Sequence, residues 1–289
     1  MGYLIFADVS LDIDMEFARE NDVRFVPMEY LLGEEVFHCT QPESDEMMHE
    51  FYEKLRKKIP TQTSQITPNH YIDIFEPLAK EGHDILYISL SSGLSNTYES
   101  ALLAVQNLKE DYDTVSIEIV DSLSATGGMG LLVETAVANR KAGMSVSDNA
   151  ADVRDHANHL KHWFMVEDLM YLKRGGRVSA ATAVMGTALN IKPILTITAD
   201  GKLDTIDKKR GTRMAIKYML DRFEATYDSA YGTTVYISGA DCREEEENLK
   251  SQLLLKYPEL TVKMTMLSPI IGAHTGPDML ALIHYGISK

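Results

Sequence analysis

The densest group of hydroxyl side chains in the sequence lies between a predicted strand and a predicted helix. Residues 85–90 form a short apolar run typical of a buried strand, and apolar residues recur at helical spacing from Ala101 onward. Ser91, Ser92 and Ser95 lie between these two segments. A strand that turns into a helix leaves free backbone N–H groups at the helix N-terminus, which carries partial positive charge. This arrangement favours an anion, either a phosphate or a carboxylate.

A simpler interpretation of the same serines is ordinary capping of the helix N-terminus. The sequence has no phosphate-binding loop with the G-x-x-x-x-G-K-[ST] pattern and no G-x-G-x-x-G dinucleotide fingerprint. The nucleophile-elbow pattern G-x-S-x-G is also absent at Gly93. The segment alone therefore leaves anion binding and helix capping as open alternatives.

A second hydroxyl-rich segment covers residues 59–68, which two prolines bracket. Such a composition is typical of a solvated loop. The functional alternative is that Thr63 and Ser64 face the serines at 91–95 and complete one polar site.

Two further candidates lie in the second half of the chain. His274 lies in a Gly-x-His-Thr-Gly segment that we expect to be a turn between two apolar segments, with Thr275 beside it. Arg177 follows a Gly-Gly pair, where a helix C-terminus accounts for Lys173 and Gly175. Arg177 lies beyond that helix end, so it is a candidate for contact with a ligand or a partner.

Three histidines, His156, His159 and His162, follow one another at intervals of three residues. They have no acidic companions in an ordered motif, so we expect a solvated helix face rather than a metal site. The sequence predicts neither a metal nor a cofactor.

Strand, Ser/Gly/Thr loop and helix recur along the first half of the chain, which predicts an α/β fold with a mostly parallel sheet. Sites in such folds lie at the carboxyl ends of the strands. A new strand at 163–166 suggests a second α/β domain, so we expect domains at 1–160 and 161–289. A short helix is predicted at 181–189 and a hairpin turn at 199–202.

The bulk composition limits the class of partner. The 289 residues carry 43 acidic and 28 basic side chains, a net charge of −15. This charge argues against nucleic acid or an anionic membrane surface as the main partner. The first residues do not have the pattern of a signal peptide, and no apolar run approaches the length of a membrane span. With two cysteines far apart, Cys39 and Cys242, we expect a cytoplasmic protein with reduced thiols.

Six motifs in order resemble the DegV family of bacterial fatty-acid-binding proteins. They are T-S-Q at 63–65, S-S-G-L-S-x-T-Y-x-S-A at 91–101, D-S with A-T-G-G at 121–128, Y-L-K-R-G-G-R at 171–177, L-N-I-K-P-I with D-G-K at 189–202, and I-G-x-H-T-G-P at 271–277. Two positions depart from the family pattern: Val9, where the family usually has serine, and Asn96, where it usually has glycine.

The resemblance implies two α/β domains with a long-chain fatty acid, such as palmitate, buried between them. Its carboxylate would be held by Thr63 and Ser95, with Ser64 and Ser92 nearby. Burying such a tail contributes on the order of 10 kcal/mol, at ~0.8 kcal/mol per methylene, before ordering costs.

The resemblance also matches His274 and Arg177 with the histidine and arginine of the family motifs. Family members of the kinase-partner type present the bound carboxylate to a separate fatty acid kinase, which makes acyl phosphate. The implied protein is a lipid carrier and not an enzyme.

Two enzymatic alternatives remain. A serine hydrolase or acyltransferase would use Ser92 or Ser95 with His274 as the base, but the sequence offers no clear third group to orient the histidine. A phosphotransferase is suggested by a likeness to dihydroxyacetone kinase domains, but no nucleotide motif supports it.

Overall fold

The computed structural model describes residues 2–179 and 190–288, so the helix expected at 181–189 lies outside the described residues. The strands are β1 Leu4–Asp8, β2 Val23–Val26, β3 Met28–Leu32, β4 Glu35–Cys39, β5 Thr61–Thr63, β6 Ile85–Ser89, β7 Ile117–Asp121, β8 Leu160–Met165, β9 Ile191–Ile197, β10 Leu203–Arg210, β11 Thr234–Gly239, β12 Thr261–Met266 and β13 Leu280–Tyr285. The helices are α1 Met15–Glu20, α2 Asp45–Arg56, α3 Pro68–Lys80, α4 Thr97–Asp111, α5 Thr126–Lys141, α6 Val146–His159, α7 Met170–Arg174, α8 Thr212–Thr226, α9 Arg243–Lys256 and α10 Pro269–Thr275.

The first sheet has the strand order β2-β1-β6-β7, and all its neighbours run parallel. Strands β1 and β6 are buried along their whole length. This burial explains their continuous apolar sequences, since helices cover both faces of a parallel sheet. The expected parallel sheet is confirmed.

The second sheet has six strands in the order β10-β9-β8-β13-β11-β12. Its described strands pair antiparallel except for β11 with β12. The predicted turn near 199–202 joins β9 to β10 as a hairpin. Strand β10 was not predicted, because its mixture of charged and apolar residues has no clear two-residue period.

A small third sheet has the order β4-β3-β5. Strand β5 pairs antiparallel with β3, where Thr63 lies opposite Tyr30. The expectation of a plain solvated loop at 59–68 was therefore wrong for its centre. Three polar residues at a sheet edge give no apolar pattern that a sequence reading can detect.

Helix α5 lies between the two larger sheets and contacts strands of both, including β1, β6, β8, β11 and β13. One continuous apolar core accordingly contains residues from both sheets, and a smaller core lies between the six-stranded sheet and helices α8 and α9. The six-stranded sheet begins with Leu160. A domain boundary at residue 160 stays a prediction. Within the described ranges, no helix has both the length and the apolar character needed to cross a membrane.

A buried carboxylate fixes the end of β6. Asp8 is completely buried, accepts a hydrogen bond from Leu90 N at 2.6 Å, and accepts another from the hydroxyl of Tyr87. The Tyr87 hydroxyl also pairs with the Tyr71 hydroxyl at 2.7 Å. Burial raises the pKa of Asp8 to about 7, although both hydrogen bonds act in the opposite direction.

The raised pKa of Asp8 predicts that the protein loses stability as the pH rises toward neutrality. An unfolded Asp has a pKa of about 3.9, so the folded chain binds an extra proton between about pH 4 and pH 7. This contribution is largest below the unfolded pKa and disappears above the folded one. We expect Asp8→Asn to flatten the fall of the unfolding free energy by up to about 1.4 kcal/mol per pH unit in that window.

Denaturant unfolding at several pH values measures this slope. Asp14→Asn is the matched control, because Asp14 caps α1 from an exposed position and asparagine caps equally well. Equal slopes for the wild type and Asp8→Asn would contradict the assignment.

Candidate functional site

A cavity of about 780 Å³ lies between the carboxyl ends of the first sheet and the six-stranded sheet. The loops after β6 and β7 form one wall, and β8, β9, β10 and β13 form another, with α10 and the residues after α7 beside them. Much of the lining is apolar, including Leu90, Phe164, Leu172, Ile197, Ile270 and Ile283. A cavity of this volume is within the usual range for a small-molecule site.

Seven of the eight residues predicted for the site line this cavity. They are Thr63, Ser64, Ser92, Ser95, Arg177, His274 and Thr275. The eighth, Ser91, is fully buried, and its hydroxyl donates to the carbonyl of Gly201 at 2.8 Å. Ser91 therefore joins the loop after β6 to the β9–β10 turn.

The serine loop is held by the residue that ends β7. Asp121 Oδ1 accepts from the backbone N–H of Ser92 at 3.1 Å and from that of Leu123 at 3.0 Å. Ser95 N donates to the carbonyl of Ser91 at 3.1 Å, which closes one turn of the chain. This bonding turns the Ser92 and Ser95 positions toward the cavity.

The N-terminus of α4 combines the two interpretations of the serines. Asn96 occupies the cap position but makes no capping bond with its side chain. Ser95 Oγ instead accepts from Thr97 N at 3.3 Å and pairs with Thr97 Oγ1 at 2.6 Å. Ser95 thus stabilises the first turn while its hydroxyl lines the cavity.

Thr63 and His274 form a direct pair across the site. Thr63 Oγ1 lies 2.8 Å from His274 Nε2. Burial, and then the positive charge of Arg177, lower the pKa of His274 to about 4, so the imidazole is neutral at pH 7. His274 lies in the last turn of α10, and the expectation of a turn at this position was wrong. The glycines at 272 and 276 had suggested a turn, but Gly272 is inside the helix and Gly276 ends it.

Arg177 is held by backbone carbonyls. Its Nε donates to the carbonyl of Leu94 at 3.0 Å, and its Nη1 donates to that of Gly175. Gln65 makes a similar link, since its Nε2 donates to Ser100 Oγ at 3.0 Å and to the Asn96 carbonyl at 3.4 Å. The motifs at 63–65, 91–97, 171–177 and 271–277 are therefore brought together by hydrogen bonds between side chains and loops.

Other polar side chains line the cavity that the sequence reading did not select: Thr126, His162, Lys202, Asp204 and Thr205. His162 is buried in β8 and pairs through Nε2 with Ser124 Oγ at 2.8 Å, so the expected solvated helix face was wrong for this residue. His156 and His159 do lie on α6, where both rings pack against Tyr231. The polar side chains of β10 could have been recognised only with that strand.

The two departures from the family motif lie at structurally different positions. Val9 is buried in the apolar core, so it contributes packing. Asn96 is exposed and has φ −77°, a conformation that does not require glycine. Neither substitution disturbs the bonds that shape the serine loop.

The site has donors for an anion but not the pairing of a hydrolase. Among the described residues, no hydrogen bond joins Ser92 or Ser95 to His274, whose Nε2 is engaged by Thr63. The described residues that could together hold a metal ion are His49, Glu53 and Asp241, which do not line this cavity. The arrangement is suited to binding an oxyanion through neutral hydroxyl groups.

Comparison with known proteins identifies the family. A family model described as "Uncharacterised protein, DegV family" matches residues 3–286. A DegV domain-containing protein of Clostridium perfringens is 33% identical over 287 residues, covering 99% of this chain and 98% of that protein.

Solved structures share the fold over the whole chain. A structure titled as showing fatty acid binding of a DegV family protein from Thermus thermophilus has a TM-score of 0.85 at 26% identity, covering 99% of this chain and all of that one. The Streptococcus pneumoniae Fatty Acid Kinase (Fak) B3 protein loaded with linoleic acid has a TM-score of 0.84 at 21% identity, and each chain is fully covered. This protein has the two-domain α/β fold of these structures and belongs to the DegV family.

Proposed function

We propose that this protein binds one long-chain fatty acid, with its carboxylate at the Thr63, Ser95 and His274 cluster and its tail in the apolar cavity. The observation that carries the proposal is the direct continuity of a linked hydroxyl cluster with an apolar cavity of about 780 Å³. The related Thermus thermophilus structure, described by its title as fatty acid binding, supports this class of ligand.

The hydrogen-bond pattern suggests how the carboxylate is held. If Nε2 of neutral His274 carries the proton, it donates to Thr63 Oγ1, and the Thr63 hydroxyl then donates to the ligand. Ser95 is placed to donate in the same way, while Ser92 and Ser64 line the cavity nearby. The buried tail supplies most of the affinity, and the hydroxyl groups fix the orientation of the head.

The chain acts in this proposal as a carrier that presents the carboxylate to a fatty acid kinase. In that reaction a carboxylate oxygen bonds to the terminal phosphorus of a nucleoside triphosphate held by the kinase, and the nucleoside diphosphate leaves. The family resemblance supports this role. The cytoplasm is a suitable compartment, because Cys39 and Cys242 are free thiols.

The first test is mass spectrometry of an organic extract of the purified protein. We expect about one fatty acid per chain, and its mass gives the chain length and unsaturation. If the extract is empty, and stays empty after incubation with mixed fatty acids, the carrier function is wrong.

Removal of the Thr63 hydroxyl tests the carboxylate site. Thr63→Val keeps the shape of the side chain but removes one donor to a charged group, a bond worth about 1.5–3 kcal/mol, so we expect fatty acid affinity to fall roughly 10- to 100-fold. Thr63→Ser is the control, and it should stay close to the wild type. Titration calorimetry measures both, and equal affinity in Thr63→Val and the wild type would exclude Thr63 from the site.

Ester hydrolysis separates the carrier from the serine hydrolase. We expect no turnover of nitrophenyl esters by the wild type, and no difference in Ser95→Ala or Ser92→Ala, because neither serine is paired with His274. Turnover in the wild type that disappears in one of these variants would favour the hydrolase.

A further inference from the structure

A second cavity, of about 440 Å³, lies against the outer side of the carboxylate cluster. It shares Thr63, Gly175, Arg177 and His274 with the larger cavity. These four residues therefore form a wall between an apolar chamber and a smaller one. We call the smaller chamber the cationic cavity, because Lys58, Arg174 and Arg177 line it together with Tyr171 and the segment 59–63.

The positive charge of the cationic cavity is not balanced locally. No Asp or Glu belongs to its lining, and no carboxylate of the described residues lies within 4.0 Å of the charged groups of Lys58, Arg174 or Arg177. This arrangement contrasts with a chain that has 43 acidic and 28 basic residues. Three cations around one small cavity without a counter-charge create a local potential that attracts an anion.

An aromatic ring holds two of these cations in place. The Arg174 guanidinium lies 4.4 Å from the centre of the Tyr171 ring, and Lys58 Nζ lies 5.8 Å from it. Tyr171 is buried, and its hydroxyl donates to the carbonyl of Leu55 at 3.1 Å. Contact with a ring face orients a cation and leaves its N–H groups available for hydrogen bonds.

We infer that the cationic cavity binds the phosphoryl group of a fatty acyl phosphate whose acyl tail occupies the larger cavity. The inference rests on the proposed function, which places the fatty acid head at the wall between the two cavities. A phosphoryl group added to that head lies one bond beyond the carboxylate. The neighbouring chamber offers the charged donors that suit a phosphate, whereas Thr63 and Ser95 supply only neutral hydroxyl groups.

A stable analogue can test the inference. We would use a long-chain 2-oxoalkylphosphonate, in which a methylene replaces the bridging oxygen of the acyl phosphate, and the fatty acid with the same tail. Both would be titrated into the delipidated protein and into the double variant Lys58→Met/Arg174→Gln. The matched control is Lys57→Met/Lys173→Gln, which removes the same charge from neighbouring residues that line neither cavity.

We expect the double variant to weaken phosphonate binding about tenfold or more, while fatty acid affinity changes less than twofold. The control should leave both affinities within twofold of the wild type, and circular dichroism should show all variants folded. The inference is overturned if the phosphonate affinity is unchanged in the double variant or falls equally in the control.

Inorganic phosphate distinguishes the source of the anion. It would be titrated into the fatty-acid-loaded protein and the same variants. If inorganic phosphate binding depends on Lys58 and Arg174 while phosphonate binding does not, the cavity is a site for free phosphate and the acyl phosphate assignment is wrong. If the wild type fails to bind the fatty acid itself, the proposed function fails, and this result is distinct from a selective loss of phosphonate binding.

Discussion

The arrangement of the site depends on the hydrogen bond from Arg177 to the carbonyl of Leu94. A charged side chain from the loop after α7 thereby satisfies a backbone group in the serine loop, which belongs to the first sheet. The pairing of Thr63 with His274 makes a parallel link from the small third sheet to α10. None of these segments is close to the others in sequence. The cavity exists because such long-range polar bonds hold its walls at a fixed separation.

An acidic protein that holds an anionic ligand faces an electrostatic difficulty, and the site solves it with local groups. The nearest donors are hydroxyls and a histidine whose pKa is lowered to about 4, so they add no net charge to the apolar chamber. The positive charge is kept on the other side of the wall, at Lys58, Arg174 and Arg177. Neutral donors suit a carboxylate that must be released later, whereas fixed charges suit a group with more negative charge.

Much of the fold and the site could be predicted from local sequence. The apolar run before Ser91 identified the central strand and the start of the site, and the ordered motifs identified the family. The sequence did not reveal β5 or β10, because polar edge strands depend on their neighbours for pairing rather than on a pattern of their own. It also placed Ser91 among the ligand donors, although its hydroxyl is used by the Gly201 carbonyl. Which hydroxyl faces a cavity is decided by tertiary contacts.

The contact between Ser91 and Gly201 belongs to a seam where two backbones touch. A Cβ added to Gly93 would lie 2.5 Å from the backbone of Gly201, and one added to Gly201 would lie 2.1 Å from Ser91 Oγ. Gly201 also has φ +73°, which disfavours other residues. In evolutionary terms, the two glycines constrain each other: a side chain at either position is tolerated only if the opposite segment retreats. Sequence drift in this protein must therefore leave the seam unchanged or alter both of its sides together.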